Sequence, residues 1–271
     1  MGDVGDVGDA DDPSLPSAPP SDEDDPSLPS APSSDEGHQI ICECQSDSDD
    51  IAEFYSPPRV VPYANMLGLR GHKSFDLKTN VDFRVKQQRH ESLRMIENRK
   101  VKFLLLEPPC TAFSSIQYCF NKKKMHTQKF KQCWSDGMFF LKHCMDCAKV
   151  QIDANPQRYF VFEHPCQARS FKQHCVREIY DVDGVYRVVF DQCCFGARTK
   201  VKKDPVRKRT VFLTNSPVVH TRFHQRFCRE LHTHVHLTGQ EGGVPRTKYA
   251  EMYPPALCEA LAECAHLQLL D

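Results

Sequence analysis

A thiol that follows two prolines is the strongest chemical signal in this chain of 271 residues. Cys110 stands in the run Leu104-Leu-Leu-Glu-Pro-Pro-Cys110-Thr-Ala-Phe-Ser114. Once its proton is gone, cysteine is the best nucleophile among the side chains, so a thiol presented on a loop is a candidate for covalent chemistry. Taken alone, a cysteine after a strand is more commonly a buried structural thiol. Other reactive side chains recur at the ends of apolar runs. Glu53 and Phe54 end the first, Asp76 the second, and Asp82 follows in a loop. Glu163 ends Tyr-Phe-Val-Phe, and Arg207 with Arg209 leads into the last clear run. In a doubly wound sheet, carboxylates at the ends of the first two strands commonly hold a nucleoside, the second acid taking the ribose hydroxyls. Asp76 is the candidate for that role, because a carboxylate accepts both hydroxyl hydrogens.

Cysteine and histidine offer a second kind of chemistry. Cys228, His232 and His234 have metal-like spacing and could join Cys193 around zinc, although His-rich loops are often only polar contacts. Cys144-Met-Asp-Cys147 has no second pair, and Cys42 with Cys44 is a lone CxC.

These residues need a scaffold that brings strand ends together. Short apolar runs predict strands over 51–55, 73–77, 102–106, 159–163, 186–191 and 210–214. Helical periodicity lies between them over 60–69, 85–98, 128–152 and 169–179, with a last amphipathic helix over 254–270. Strands alternating with helices predict an α/β fold, a doubly wound and mostly parallel sheet covered on both faces. Pro108 and Pro109 cannot donate to a ladder, so the chain leaves the sheet there, at the edge where open α/β sheets bind ligands.

Charge divides the chain in two. Residues 1–50 carry 15 Asp and Glu and no Lys or Arg, leaving 35 basic residues against 36 − 15 = 21 acidic ones from Ile51 onward. The body is therefore 35 − 21 = +14, which suggests a polyanion partner such as nucleic acid. The tail holds a tandem duplication, 11–23 and 24–36, that differs only at Pro20 versus Ser33. So polar a segment cannot bury enough surface to offset its ordering entropy and is expected to be disordered. Basic loops at Asn121 to Lys124 and Lys200 to Arg209 follow two of the strand ends and suit phosphate. An acidic start without an apolar core predicts no secretory leader, and no window is apolar enough to span a membrane. The expected setting is reduced and not secreted, with a monomer favoured; a DNA substrate would make it nuclear or nucleo-cytoplasmic.

Four motifs in order carry a family resemblance. Pro108-Pro-Cys110-Thr-Ala-Phe-Ser114 resembles the nucleophile motif of the cytosine-5 DNA methyltransferases, and Phe162-Glu163-His-Pro is similar to their Glu-Asn-Val. Phe195-Gly196 followed by Arg207-Lys-Arg209-Thr resembles their Gln-x-Arg-x-Arg segment, and Tyr253-Pro-Pro-Ala-Leu-Cys-Glu is similar to the start of their closing helix. Ser56-Pro-Pro-Arg59, Leu67-Gly-Leu-Arg70-Gly, Asp191-Gln-Cys193 and Leu213-Thr-Asn-Ser216 resemble a divergent branch found in retroelement polyproteins and viral or protist genomes. Where the common cofactor loop is Phe-x-Gly-x-Gly-Gly, this chain has Phe54-Tyr-Ser-Pro-Pro-Arg59.

The resemblance implies a Rossmann-like methyltransferase domain over 51–271, with a reduced target-recognition region over 216–250 and a closing helix over 251–271. It implies S-adenosylmethionine as cofactor, with contacts from Glu53, Phe54, Ser56, Asp76, Asp82 and Pro108. It implies methyl transfer to carbon 5 of cytosine in DNA, with RNA or a catalytically inactive nucleic-acid-binding module as the alternatives. Its catalytic set would be Cys110, Glu163, Arg207 and Arg209. Carbon 5 becomes electron-rich when a nucleophile adds at carbon 6, and a thiolate does this best. Glu163 would bond ring N3 and the exocyclic amine, Arg209 the base oxygen, and Arg207 a phosphate or Glu163 itself.

Overall fold

Helices cover both faces of the central sheet, which is why its strands are apolar at nearly every position. The computed structural model describes residues 48–115, 127–229 and 232–270. The acidic duplication, Cys42 with Cys44, and the basic run Asn121 to Lys124 lie outside the described residues. Strands β1 (Ile51–Phe54), β2 (Phe103–Leu106) and β3 (Tyr159–Pro165) pair in parallel, Ile51 opposite Phe103 and Phe103 opposite Tyr159. Strand β4 (Tyr186–Asp191) is separated from β3 by β5 (Arg209–Thr214), which runs antiparallel to both. The order is β1-β2-β3-β5-β4. The sheet is thus mixed, parallel through its first three strands.

The expected strand over 73–77 is an irregular edge segment. Isolated bridges join Ile51 to Gly71 and Phe54 to Phe75 in parallel. The His72 amide donates to the Ile51 carbonyl at 2.7 Å, and that of Phe75 to the Glu53 carbonyl at 2.8 Å. Asp76 stops the segment by capping the turn Leu77–Thr79, accepting from the Lys78 amide at 3.0 Å. The chain therefore visits one side of β1 before crossing to β2 on the other. That reversal opens a crevice at the carboxyl ends of the strands.

The helices among the described residues are α1 (Val61–Met66), α2 (Lys86–Asn98), α3 (Gln128–Ile152), α4 (His174–Tyr180), α5 (Pro217–Phe223), α6 (Arg246–Tyr249) and α7 (Pro255–Leu270). Strand alternation divides the interior into two cores. Ile51, Phe103, Leu105, Val161 and Phe212 face α1, α5 and α7, through Ala64, Phe223 and Leu261 among others. Ala52, Phe54, Leu104, Leu106, Phe160 and Phe162 face α2, α3 and α4. Two expected helices are shorter than their periodicity suggests. The one over 60–69 ends at Met66, and Gly68 at φ +84° turns the chain away. The one over 169–179 divides into a single turn, Arg169–Lys172, and α4, because Gln173 is extended. Among the described residues between α5 and α7 lie only the hairpin β6 (Gln240–Glu241) with β7 (Val244–Pro245), and α6. No helix among the described residues is long and apolar enough to cross a membrane.

Candidate active site

Period-two alternation carries one side of the sheet from apolar to acidic at the carboxyl edge. Glu53 follows Ile51 on that face, Glu107 follows Phe103 and Leu105, and Glu163 follows Val161. Since Leu106 stands opposite Phe162, one further step of the parallel register sets Glu107 beside Glu163. Three carboxylates thus gather where the first core ends.

The first of them is an internal cap. Glu53 is fully buried and accepts the amides of Arg59, Val60 and Val61 at 3.0, 2.9 and 3.1 Å, with the Ser74 hydroxyl at 3.2 Å. Burial raises its pKa, and these hydrogen bonds oppose the rise. The carboxylate satisfies orphan donors at the start of α1 and so shapes the loop Tyr55 to Arg59. Tyr55 enters that loop at φ +64°, a left-handed conformation uncommon for a bulky residue, and its hydroxyl meets His143 Nδ1 at 2.7 Å. Phe54 points the other way, against Phe75, Phe83 and His143.

Glu107 is the unsettled member. Its side chain is 7% exposed and its Oε1 is buried without a hydrogen-bond partner. Arg59 lies 3.9 Å from Oε2, stacks over Tyr253 and donates to the Glu251 carbonyl at 2.8 Å. Desolvation raises the Glu107 pKa to about 8, the charges of Glu53 and Glu163 adding to the rise and Arg59 opposing it. At neutral pH its carboxyl is mostly protonated.

Cys110 is held by the corner that the prolines make. Pro108 is buried, and its carbonyl meets His164 Nε2 at 3.2 Å, while His164 Nδ1 meets the Ser170 hydroxyl at 2.6 Å. A carbonyl only accepts, so Nε2 carries the proton and Nδ1 accepts from Ser170. Burial lowers the His164 pKa to about 3, which keeps the ring neutral. Cys110 then opens the turn Thr111–Phe113, with the Phe113 amide donating to the Cys110 carbonyl at 3.0 Å. Phe113 is buried against Trp134 and His164. Gly137 of α3 lets this turn pack against the helix: a Cβ there would stand 2.6 Å from that of Ala112. A cleft of ≈ 500 Å³ lined by Pro109, Thr111, Lys129, Cys133 and Phe140, among others, borders the loop.

The cation beside this thiol is Lys208. Its Nζ lies 3.1 Å from Glu163 Oε1, with side-chain exposures of 14% and 9%. Lys208 is therefore the ion-pair partner of that buried oxygen. Burial works against the Lys208 charge, but Glu163, Cys110 and Glu107 outweigh it and raise its pKa. Burial also raises the Cys110 pKa, with Lys208 pulling it down, so the resting group is a thiol.

Arg207 and Arg209 sit on the other side of β5. Arg209 Nε and Nη2 reach Asp191 Oδ1 and Oδ2 at 2.9 and 3.1 Å, and Arg207 Nε lies 3.4 Å from Oδ2. Alternate residues of a strand face opposite ways, so placing Arg207 and Arg209 around Asp191 turns Lys208 toward Glu163. Both arginines thus meet Asp191, and Lys208 is the cation on Glu163. Asp82 is engaged by the Arg84 guanidinium, with contacts of 2.7 to 3.0 Å. Ser56 is buried and donates to the Pro57 carbonyl at 2.9 Å. The structure therefore brings Cys110, Glu163, Pro108, Glu53 and Ser56 to one edge, with Asp76 at the end of the adjoining segment. Lys208 and Glu107 were not singled out from sequence. Their signal was the two-residue period, which sets Glu107 in line with Leu105 and Lys208 out of phase with its arginine neighbours. Cys193, Cys228, His232 and His234 converge elsewhere, their ligand atoms within 4.8 Å of one another.

No protein-family model matches the chain, and no curated protein matches it. A solved structure of a methyltransferase from Entamoeba histolytica superposes at a TM-score of 0.34 and 13% identity, over 63% of this chain and 54% of that one. The chain spans about half the length of that protein, and a likeness of this degree carries no functional argument.

Proposed function

We propose that this chain is an S-adenosylmethionine-dependent methyltransferase that acts on carbon 5 of cytosine in DNA through a covalent adduct with Cys110. The observation that carries this reading is a thiol on a braced loop at the carboxyl edge, sharing the cation Lys208 with the buried carboxylate of Glu163. Cys110 gives its proton to solvent and Sγ adds to carbon 6 of the ring, which makes carbon 5 nucleophilic. Glu163 holds the N3 and amine edge of the base, and Lys208 keeps the thiolate and carboxylate charges compensated as the adduct forms. Carbon 5 would take the methyl group as the cofactor's sulfonium–methyl bond breaks to leave a neutral thioether; the carbon 5 proton then passes to solvent and Cys110 Sγ leaves, restoring the ring. The base must first leave its stack, at a cost of a few kcal/mol that single-stranded substrate lowers.

The crevice suits the cofactor electrostatically. Glu53, Glu107 and Glu163 face Arg59 and Lys208, so the buried set is balanced while Glu107 keeps its proton and becomes net negative when a cationic ligand draws that proton off. A ligand with a sulfonium and an ammonium against one carboxylate carries the complementary sign. Glu107 and Arg59 would hold its amino-acid part and Asp76 its ribose hydroxyls. When bound, it supplies the methyl group as an electrophile.

The test is trapping. With S-adenosylmethionine and 5-fluorocytosine-containing DNA, the full chain should become covalently linked to the polymer, and Cys110→Ser should abolish the linkage. Trapping on RNA alone would transfer the reading to RNA. Trapping on neither would overturn it in favour of a binding module. The +14 charge of the body supports a polyanionic substrate, and a DNA substrate would place the chain in the nucleus.

A further inference from the structure

We propose that Cys193, Cys228, His232 and His234 bind one zinc ion in a closed tetrahedral site that staples the segment between α5 and α7 to the sheet. Cys193 belongs to the turn Gln192–Phe195 that leaves β4, while the other three follow α5. His234 Nε2 lies 3.3 Å from Cys193 Sγ and 3.4 Å from Cys228 Sγ, and His232 Nε2 lies 3.6 Å from Cys228 Sγ. Zn–S bonds of about 2.3 Å and Zn–N bonds of about 2.0–2.1 Å, at tetrahedral angles, give S···N edges of roughly 3.5–3.6 Å. These three S···N separations are those edges to within a few tenths of an ångström, and all four ligand atoms lie within 4.8 Å of one another. One ring nitrogen has a single proton or a single lone pair and cannot make full hydrogen bonds to two thiols at once. An ion at the common centre meets every group. Two thiolates with two imidazoles suit zinc in both softness and geometry, and they neutralise its charge.

The surroundings are built to hold the ligands. Asp191 Oδ2 accepts the Cys228 amide at 3.0 Å, and the same carboxylate is clamped by Arg209 and lies beside Arg207. Asp191 is fully buried, so the backbone of one ligand is fixed from the end of β4. The segment also needs a staple. Among the described residues from 224 to 252, none is a buried apolar side chain, and Glu241 is buried instead. Its other ties to the body are polar, such as the Val235 amide to the Pro205 carbonyl at 3.0 Å and the Val201 amide to Glu241 Oε1 at 3.0 Å. A segment without a core of its own is commonly held by a metal or a disulfide. On binding, the two thiols release their protons as the Zn–S bonds form, and the imidazoles donate lone pairs. Four protein ligands leave no open position, so the ion organises the chain and does no chemistry.

Elemental analysis of the purified full chain should find one zinc per chain that survives dialysis. Exchange for Co²⁺ should give visible ligand-field bands with a thiolate charge-transfer band. Cys228→Ser and His234→Ala should each lose the ion, while Cys194→Ser, at the exposed neighbouring thiol outside the set, should keep it. Removing the ion with a chelator should expose residues 224–252 to protease while the sheet stays intact. A reduced wild-type chain that takes up neither Zn²⁺ nor Co²⁺ overturns the proposal, a result independent of whether any variant folds. Full zinc content in a Cys193→Ser, Cys228→Ser double variant overturns it as well.

Discussion

Replacing Glu107 by Gln should make the protein more stable at alkaline pH and leave it nearly unchanged at pH 4.5. Glu107 is raised to about 8 in the folded chain from an ordinary 4.5, chiefly by desolvation and by the charges of Glu53 and Glu163. Between those two values the folded state keeps a proton that the unfolded chain has released. Its contribution to stability is therefore complete below pH 4.5 and drains away as pH rises through about 8. A span of 8 − 4.5 = 3.5 units at 1.36 kcal/mol each sets an upper bound of about 5 kcal/mol. Water entry and relaxation around a buried charge leave roughly 2 kcal/mol of it. Gln has the same shape and no charge, so the variant lacks this drain. Urea unfolding of both proteins from pH 4.5 to 9, plotted as the difference in ΔG, should rise across that interval and then level off. Parallel curves would show that Glu107 is solvated and would remove the electrostatic case for a cationic ligand. If the slope is present, binding of S-adenosylmethionine at pH 7 should release protons, seen as a calorimetric heat that varies with buffer ionisation enthalpy.

Lys208→Met should cost about 3–5 kcal/mol of stability, since it leaves Glu163 buried without its cation. It should also move the pH profile of Cys110 alkylation upward, because Lys208 is the cation that lowers that thiol's pKa. Arg209→Met should leave the alkylation profile in place; an equal shift would return the arginine to the site. Gly137→Ala drives a Cβ to within 2.6 Å of Ala112 and should destabilise by about 1–3 kcal/mol while slowing trapping; wild-type stability would show that the Cys110 loop yields freely. Asp76→Ala should weaken cofactor binding by roughly 1.5–3 kcal/mol, the value of a lost charge-assisted hydrogen bond, and calorimetry with unchanged affinity would remove Asp76 from the pocket.

Much of the scaffold was legible without coordinates. Apolar runs located the five paired strands to within two residues at each end, because a strand covered on both faces must be apolar throughout. The long helix Gln128–Ile152 and the break at Pro108 followed from local periodicity and from a missing donor. The edge segment over 71–75 was misplaced because it makes only two isolated bridges, so few residues there obey strand patterning.

Sequence alone determined the local facts: where the sheet edge falls, that Cys110 follows it, and that Glu53 and Glu163 fall within the last three residues of their strands. Tertiary structure decided which side chains meet. The insertion of β5 antiparallel between β3 and β4 sets the phase of residues 207 to 209, sending Lys208 to Glu163 and the two arginines to Asp191. The same arrangement carries Cys193 to Cys228, His232 and His234. Such meetings depend on strand order and register, which join residues far apart in the chain; the two-residue period fixes the face a residue takes, and not the partner it meets there.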